Sequence, residues 1–418
     1  MTWPLSPCRP PPQHPVLQAA LACVLWAAAS AQAQTTAGPA ADTKDNRPAK
    51  TEHADHGWQW GVVLDAGATS RALALGARSQ GLQLGHSDLT VSGPVGSQLK
   101  AQLTAVAETH DGKLEKAVEE AWLETTSLPL GLQVRGGRFA SQVGYQNAQH
   151  SHADDFVERP LLYRALLGGH WSDDGLRLNW TVPSAQYLMF GVEAFRGKRL
   201  VAEAANAPGQ LGAVAFVAKL GDDFNRDNSW QLGLSHIRNR REAALEDAHG
   251  HHDEHEEDHD DHGSEEAHGA HAHHGAQFSG RKTWMLDATW KWSPNGNNRQ
   301  EQLKLGLETA RTTGLNRFSS SGDRHQSHAL SAVWRFNPSW EVGARTDWLK
   351  VSKPHGDHFD AAQMREHAVM VVYKPTHMQS VRVQYTTQRD VKGFEAPAKN
   401  AVQLQYVLAF GAHGAHPF

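Results

Sequence analysis

Cysteine is nearly absent from this 418-residue chain. It has two, Cys8 and Cys23, and both lie in a stretch that reads as a cleavable export signal. Arg9 supplies a basic start, "VLQAALACVLWAAA" (16–29) an apolar core and "AQA" (31–33) a small-x-small cleavage site. Residues 1–33 are therefore expected to be removed. The apolar core is short of the roughly 20 residues a membrane helix needs. Ala20, three before Cys23, lacks the branched side chain of a lipoprotein signal. A mature chain starting at Gln34 has no thiol. That excludes a disulfide framework and any thiolate metal site, and leaves soft-metal chemistry to imidazole and carboxylate.

Three further absences narrow the field. From Trp58 onward no apolar run is long enough to cross a membrane as a helix. No nucleophile elbow, phosphate loop or H-E-x-x-H occurs, so no enzyme is expected. The net charge is only −5, without the basic excess that nucleic acid attracts. Residues 34–57, polar and Pro/Ala-rich, read as a flexible periplasmic lead-in.

What is present is period-2 alternation in segments of about ten residues. "TWMLDATWKW" sets Trp284, Leu286, Ala288, Trp290 and Trp292 against Asp287, Thr289 and Lys291. "LRLNWTV" (176–182), "SVRVQYTT" (380–387) and "WEVGARTDW" (340–348) repeat the pattern. Sixteen such segments run from 58–66 to 400–410. The connections after even-numbered segments are tight, as in "SLPLG", "NPS" and "KPTHM". Those after odd-numbered segments are longer: 141–173, 198–210, 240–281, 312–326, 352–364 and 389–399. A soluble sandwich has no reason for this asymmetry, whereas an outer-membrane barrel with short periplasmic turns and long outer loops produces it. The expected fold is all-β: an antiparallel up-and-down transmembrane barrel of about 16 strands over residues 58–418, set in outer-membrane lipid of a Gram-negative cell. Inward polar positions such as Lys100, Gln102, Arg177, Glu193, Lys291, Lys304, Glu308, Arg335, Glu341, Arg345 and Arg382 point to an aqueous lumen. The last segment, "AVQLQYVLAF", ends in an aromatic, like the signal read by the barrel assembly machinery.

Histidine is the outlier. Residues 249–274 hold ten, at His249, His251, His252, His255, His259, His262, His268, His271, His273 and His274. Carboxylates such as Asp253 and Glu254 stand between them, and no Lys or Arg occurs from Glu242 to Gly280. By the strand count this is the fifth outer loop, too polar to build a core. Imidazole with carboxylate suits Zn²⁺, Ni²⁺ and Cu²⁺, and binding should weaken as pH falls through about 6.5. Pairs spaced i, i+3 recur at His325/His328, His355/His358 and His413/His416. His150 and His152 in "HSHADD" add a further candidate metal site.

The pieces "GRF", "QHSHADDFVERPLLYRALLGG", "WSDDG" and the "GAHGAH" ending resemble a group of plug-less outer-membrane barrels. These are distantly similar to phosphate-selective porins and are often labelled zinc-regulated outer-membrane receptors. The resemblance implies a passive barrel, since an energy-coupled receptor has a plug domain and about 22 strands. It also implies that 141–173 folds inward as a constriction. Asp154, Asp155, Glu158, Arg159 and Arg164 would then either form a charge ring that sets selectivity or pair and pin the loop. The leading functional expectation is a channel aiding divalent transition-metal uptake, zinc first, with the His-rich loop capturing the ion and no cofactor required. A general or anion/phosphate-preferring porin and a surface metal-buffering protein remain open. Porins of this size are often homotrimers.

Overall fold

A computed structural model of the chain describes residues 57–110, 112–201, 211–242 and 276–411. The signal segment and, but for Gly57, the lead-in lie outside them. The described residues form seventeen strand segments: β1 (Gln59–Thr69), β2 (Gly81–Leu84), β3 (Ser87–Val95), β4 (Leu99–His110), β5 (Lys113–Thr125), β6 (Leu132–Ala140), β7 (Ser172–Thr181), β8 (Tyr187–Phe195), β9 (Ala213–Asn225), β10 (Asn228–Asn239), β11 (Lys282–Trp292), β12 (Gln302–Thr313), β13 (Arg324–Asn337), β14 (Trp340–His355), β15 (His358–Thr376), β16 (Gln379–Lys392) and β17 (Asn400–Gly411). Each pairs antiparallel with its neighbours, and β1 pairs with β17 from Gly61↔Gly411 to Thr69↔Gln403, closing the sheet. β2 and β3 both lie along the same side of β1 and make one interrupted stave. The closed barrel therefore has sixteen staves, the expected number.

Closure leaves no sheet edge, which is what a lipid phase demands of backbone polar groups. The two faces are inverted relative to a soluble protein. Trp284 and Leu286 are 50% and 44% exposed, while Asp287 beside Leu286 is 1% exposed. Leu234, Leu330 and Val383 also face outward, and Glu366, Gln384 and Gln403 are buried. The alternation thus marks an apolar exterior and a polar interior, as the barrel reading requires.

The connection placed at 352–364 departs from expectation. β14 and β15 continue well past the neighbouring strands and meet at Gly356–Asp357 in a tight hairpin. Gly356 has φ +62, a conformation costly for other residues. Alternation through this stretch is weak because both faces here are polar, so the sequence pattern misses the added turns of strand.

Candidate functional site: an inward segment, a vestibule and a histidine cluster

The barrel interior has two unlike ends. At the end carrying the long connections, residues 141–171 run inward between β6 and β7. Their arms are tied at the base. Ser141 N–H donates to Trp171 O at 3.0 Å, and the Asn147 amide donates to Ser141 O and Trp171 O at 2.8 and 2.9 Å. At the tip sits a short helix, α1 (Leu161–Leu166), all of whose residues are buried. Pro160 precedes it with a preset φ, and Gly168 and Gly169, both at positive φ, follow it and turn the chain back. Leu161, Leu162, Ala165 and Leu166 pack into one cluster with inward wall residues Phe195, Ile237, Met285, Leu349 and Met364. Inward alanines at 213, 215, 310, 329 and 362 belong to the same cluster; their small side chains make the room the helix occupies. Among the described residues, an apolar core packs around this helix inside the barrel.

Most of the charges expected near a constriction have close partners. Arg159 Nε donates to Asp154 at 2.6 Å and its Nη atoms donate to Gly169 O and Gln149 O. Arg164 pairs with Glu366, which also takes Arg345 Nη2 at 2.9 Å and the Gln388 amide at 2.9 Å. Glu158 accepts from Ala77 N–H at 2.9 Å and from Gln403 at 3.0 Å. Asp154, Glu158, Arg159 and Arg164 are all buried. Each of these four has a partner within the segment or on the wall. Asp155 differs: it lines a cavity and meets Lys304 Nζ at 2.5 Å. Burial alone would push the Asp155 carboxyl up, but Lys304 beside it holds it below the usual carboxylate range.

That cavity, about 660 Å³, occupies the end with the short turns. Lys291, Lys304, Arg335, Lys374, Arg382 and Glu341 line it, and His152 and Asp155 form part of its roof. Its polar lining matches the inward residues anticipated from alternation.

The histidines sort into distinct fates. His249 to His274 with Asp253 and Glu254, and the pair His413/His416, lie outside the described residues. His325 and His328 do not come together, since residues three apart on a strand point to opposite faces. His325 is buried inside against Phe278, and His328 faces outward, bonded to Thr309 at 2.7 Å. His355 and His358 do meet, because the hairpin pairs them across strands with ring centroids 4.8 Å apart. Asp360 joins them, with its carboxylate 3.1 Å from His355 Nδ1, and all three are exposed.

His150 and His152 stand near the base of the inward segment among residues the sequence reading missed. His150 Nδ1 lies 3.4 Å from Glu119 and its Nε2 lies 3.6 Å from Glu120. These two carboxylates hold the His150 imidazole well above its usual range, against the lowering effect of burial. His152 Nδ1 lies 3.3 Å from Asp88, and His86 Nε2 lies 3.1 Å from Glu119. His170 takes the other Glu119 oxygen at 2.7 Å. A signal was present in two places. "HSD" (86–88) puts His86 and Asp88 at strand period 2, and "EE" (119–120) breaks the alternation of β5.

No family model matches the chain. A curated relative from Aquifex aeolicus (strain VF5), described as an uncharacterized protein, is 26% identical over 366 residues, covering 81% of this chain and 70% of the relative. Among solved structures, the outer membrane channel DcaP of Acinetobacter baumannii superposes with a TM-score of 0.52 at 13% identity, over 85% of this chain and 96% of that one. Pseudomonas putida OprB gives 0.53 at 10% identity, over 85% and 95%. The trimer form of the outer membrane protein OmpT of Vibrio cholerae gives 0.51 at 10% identity, over 85% and 99%. The fold is therefore that of the sixteen-stranded outer-membrane porins.

Proposed function

We propose that this protein is an outer-membrane channel for small hydrophilic solutes that favours divalent transition metal ions, zinc first. The observation that supports a channel is the polar vestibule beneath an inward segment, inside a barrel whose outer face suits lipid. The metal preference draws on the exposed His355–His358–Asp360 group at the long-loop rim and on the ten histidines of 249–274. Outside, these imidazoles raise the local ion concentration; inside, the vestibule passes the ion on. Insertion would use the barrel assembly machinery through the C-terminal strand ending near Phe410, and a homotrimer is the expected assembly. No catalytic step and no resident cofactor is assigned.

Single-channel conductance with and without zinc tests this reading, on the full chain and on a variant lacking 246–274 with His355→Ala and His358→Ala. Zinc should modulate the full chain, and the variant should lose that response while keeping its open-state conductance. If zinc changes neither chain's conductance and the variant supports zinc-limited growth as well as the parent, the metal preference fails. Absence of any conductance would leave a surface metal-buffering barrel.

A second reading has its own support. Lys291, Lys304, Arg335, Lys374 and Arg382 converge on one vestibule, which suits an anion- or phosphate-preferring pore. The sign of the reversal potential in a KCl gradient separates the two.

A further inference from the structure

Two staves depart from regular pairing at the same place in the barrel. Between Val63↔Asp88 and Ala66↔Leu84, β1 spends two residues where the β2–β3 stave spends three, Gly85, His86 and Ser87. Between Thr104↔Glu120 and Ala105↔Val118, β5 carries one extra residue, Glu119. Each is a β-bulge, a device that re-aims side chains next to functional sites. The first lies beside His86, and the second turns both Glu119 and Glu120 into the buried interior. Only β4 separates the two staves. The inward segment brings His150 to the same spot.

We infer that His86, Asp88 and His150, with Glu119 as a fourth donor, form a binding site for a divalent transition metal ion that clasps the inward segment to the barrel wall. One donor atom each from His86, Asp88 and His150 lies within 4.8 Å of the others. Glu119 Oε2 already touches His86 Nε2 at 3.1 Å and His150 Nδ1 at 3.4 Å. Zinc bonds of about 2.0–2.1 Å place tetrahedral ligands roughly 3.3 Å apart, so the wider separations must contract by about 1–1.5 Å. His150, on a loop, is the donor able to move. Two buried atoms here make no well-formed hydrogen bond among the described residues: Asp88 Oδ2, on a side chain more than nine-tenths buried, has only His152 Nδ1 at 3.3 Å, and His150 Nδ1 has only Glu119 at 3.4 Å. A cation between them satisfies both. Two imidazoles with two carboxylates select zinc, cobalt or nickel over calcium or magnesium, which take oxygen ligands. The outer partners also fit metal ligation. Glu108 lies 3.7 Å from His86 Nδ1, the nitrogen a metal on Nε2 would leave facing outward.

The clasp has a mechanical consequence. On the β14–β15 side the segment is held by Arg164 on Glu366. Elsewhere on the wall, near the base of the segment, the site joins His150 to residues of β3, β5 and the bulge. Metal occupancy would fix that base, and His152 beside it lines the vestibule. The site rests on its own donors and does not require that metal be the transported solute.

Anomalous diffraction at the zinc edge, from crystals of the full chain grown with ZnCl₂, tests the inference. A peak is expected between His86, Asp88 and His150. It should vanish in His150→Ala, while any peak at His355/His358 remains. The parent's thermal unfolding should shift upward with zinc and downward with chelator, and the His150→Ala shift should be smaller. If His150→Ala fails to fold, Asp88→Asn serves, since it keeps the shape and removes the charge. No peak at the cluster in zinc-saturated crystals overturns the proposal, as does an unchanged peak in both variants. A peak here with zinc-insensitive conductance would sink the uptake reading and leave this site standing.

Discussion

The two ends of the barrel interior use one wall design for opposite purposes. At the short-turn end, inward positions carry Lys291, Lys304, Arg335, Glu341 and Lys374 around a polar cavity. At the long-connection end, inward positions on many of the same strands carry Met285, Ala310, Ala329, Leu349 and Met364 around α1. The same antiparallel strands build both ends. What differs is whether a segment of chain enters, and small inward residues are the condition for that. The girdle of Arg164, Arg345 and Glu366 lies where the segment meets the wall.

The largest effect should come from putting charge into the apolar half. Leu162→Asp buries an unpaired carboxylate that neither packs nor finds a partner, a cost of several kcal/mol. The segment should leave the lumen, and single-channel conductance should rise several-fold; an unchanged conductance would mean the apolar end is not what limits flow. Next comes the girdle. Glu366→Ala removes the carboxylate that Arg164 and Arg345 share, leaving them Glu158 at 3.8 Å and Asp347 at 2.8 Å, and breaking one side of a buried pair costs up to about 3–5 kcal/mol. The denaturation midpoint of the folded barrel should fall, with channel noise rising as the segment loosens; a midpoint within error of the parent would show that the girdle is not structural.

The smallest effect belongs to the polar half. Asp155 titrates below the ordinary carboxylate range in the folded protein, so its contribution is fully present above pH ~4. It is lost as pH falls through its lower folded value. Asp155→Asn should lower stability modestly at neutral pH, where the carboxylate contributes in full, converge with the parent in acid and so flatten the acid limb. An acid limb as steep as the parent's would show that the Lys304 pair adds nothing.

Much of this was readable in advance. Sixteen alternating segments and the short/long rhythm of their connections led to the barrel and its closure, because strand period and turn length are local properties. The inward polar residues followed from parity alone, as at Glu193 and Arg382. The histidine pairs show where locality ends. His355 and His358 meet only because a two-residue turn at Gly356 makes them cross-strand partners, whereas the identical spacing at His325 and His328 puts the rings on opposite faces. Spacing names neighbours only once the local geometry is known. The bulges at Gly85–Ser87 and Glu119 were harder still, since an extra residue in one strand is defined by its partner.

The sequence by itself determined that this chain alternates, closes and turns an apolar face outward, since these depend on residues two apart and on turns of a few residues. Only the tertiary structure decided what fills the enclosed space. Burial of α1, pairing of Arg164 with Glu366 and convergence of His86, Asp88, Glu119 and His150 join residues separated by up to two hundred positions. Their contact depends on the barrel's register and on where the inward segment comes to rest, and no local pattern encodes either.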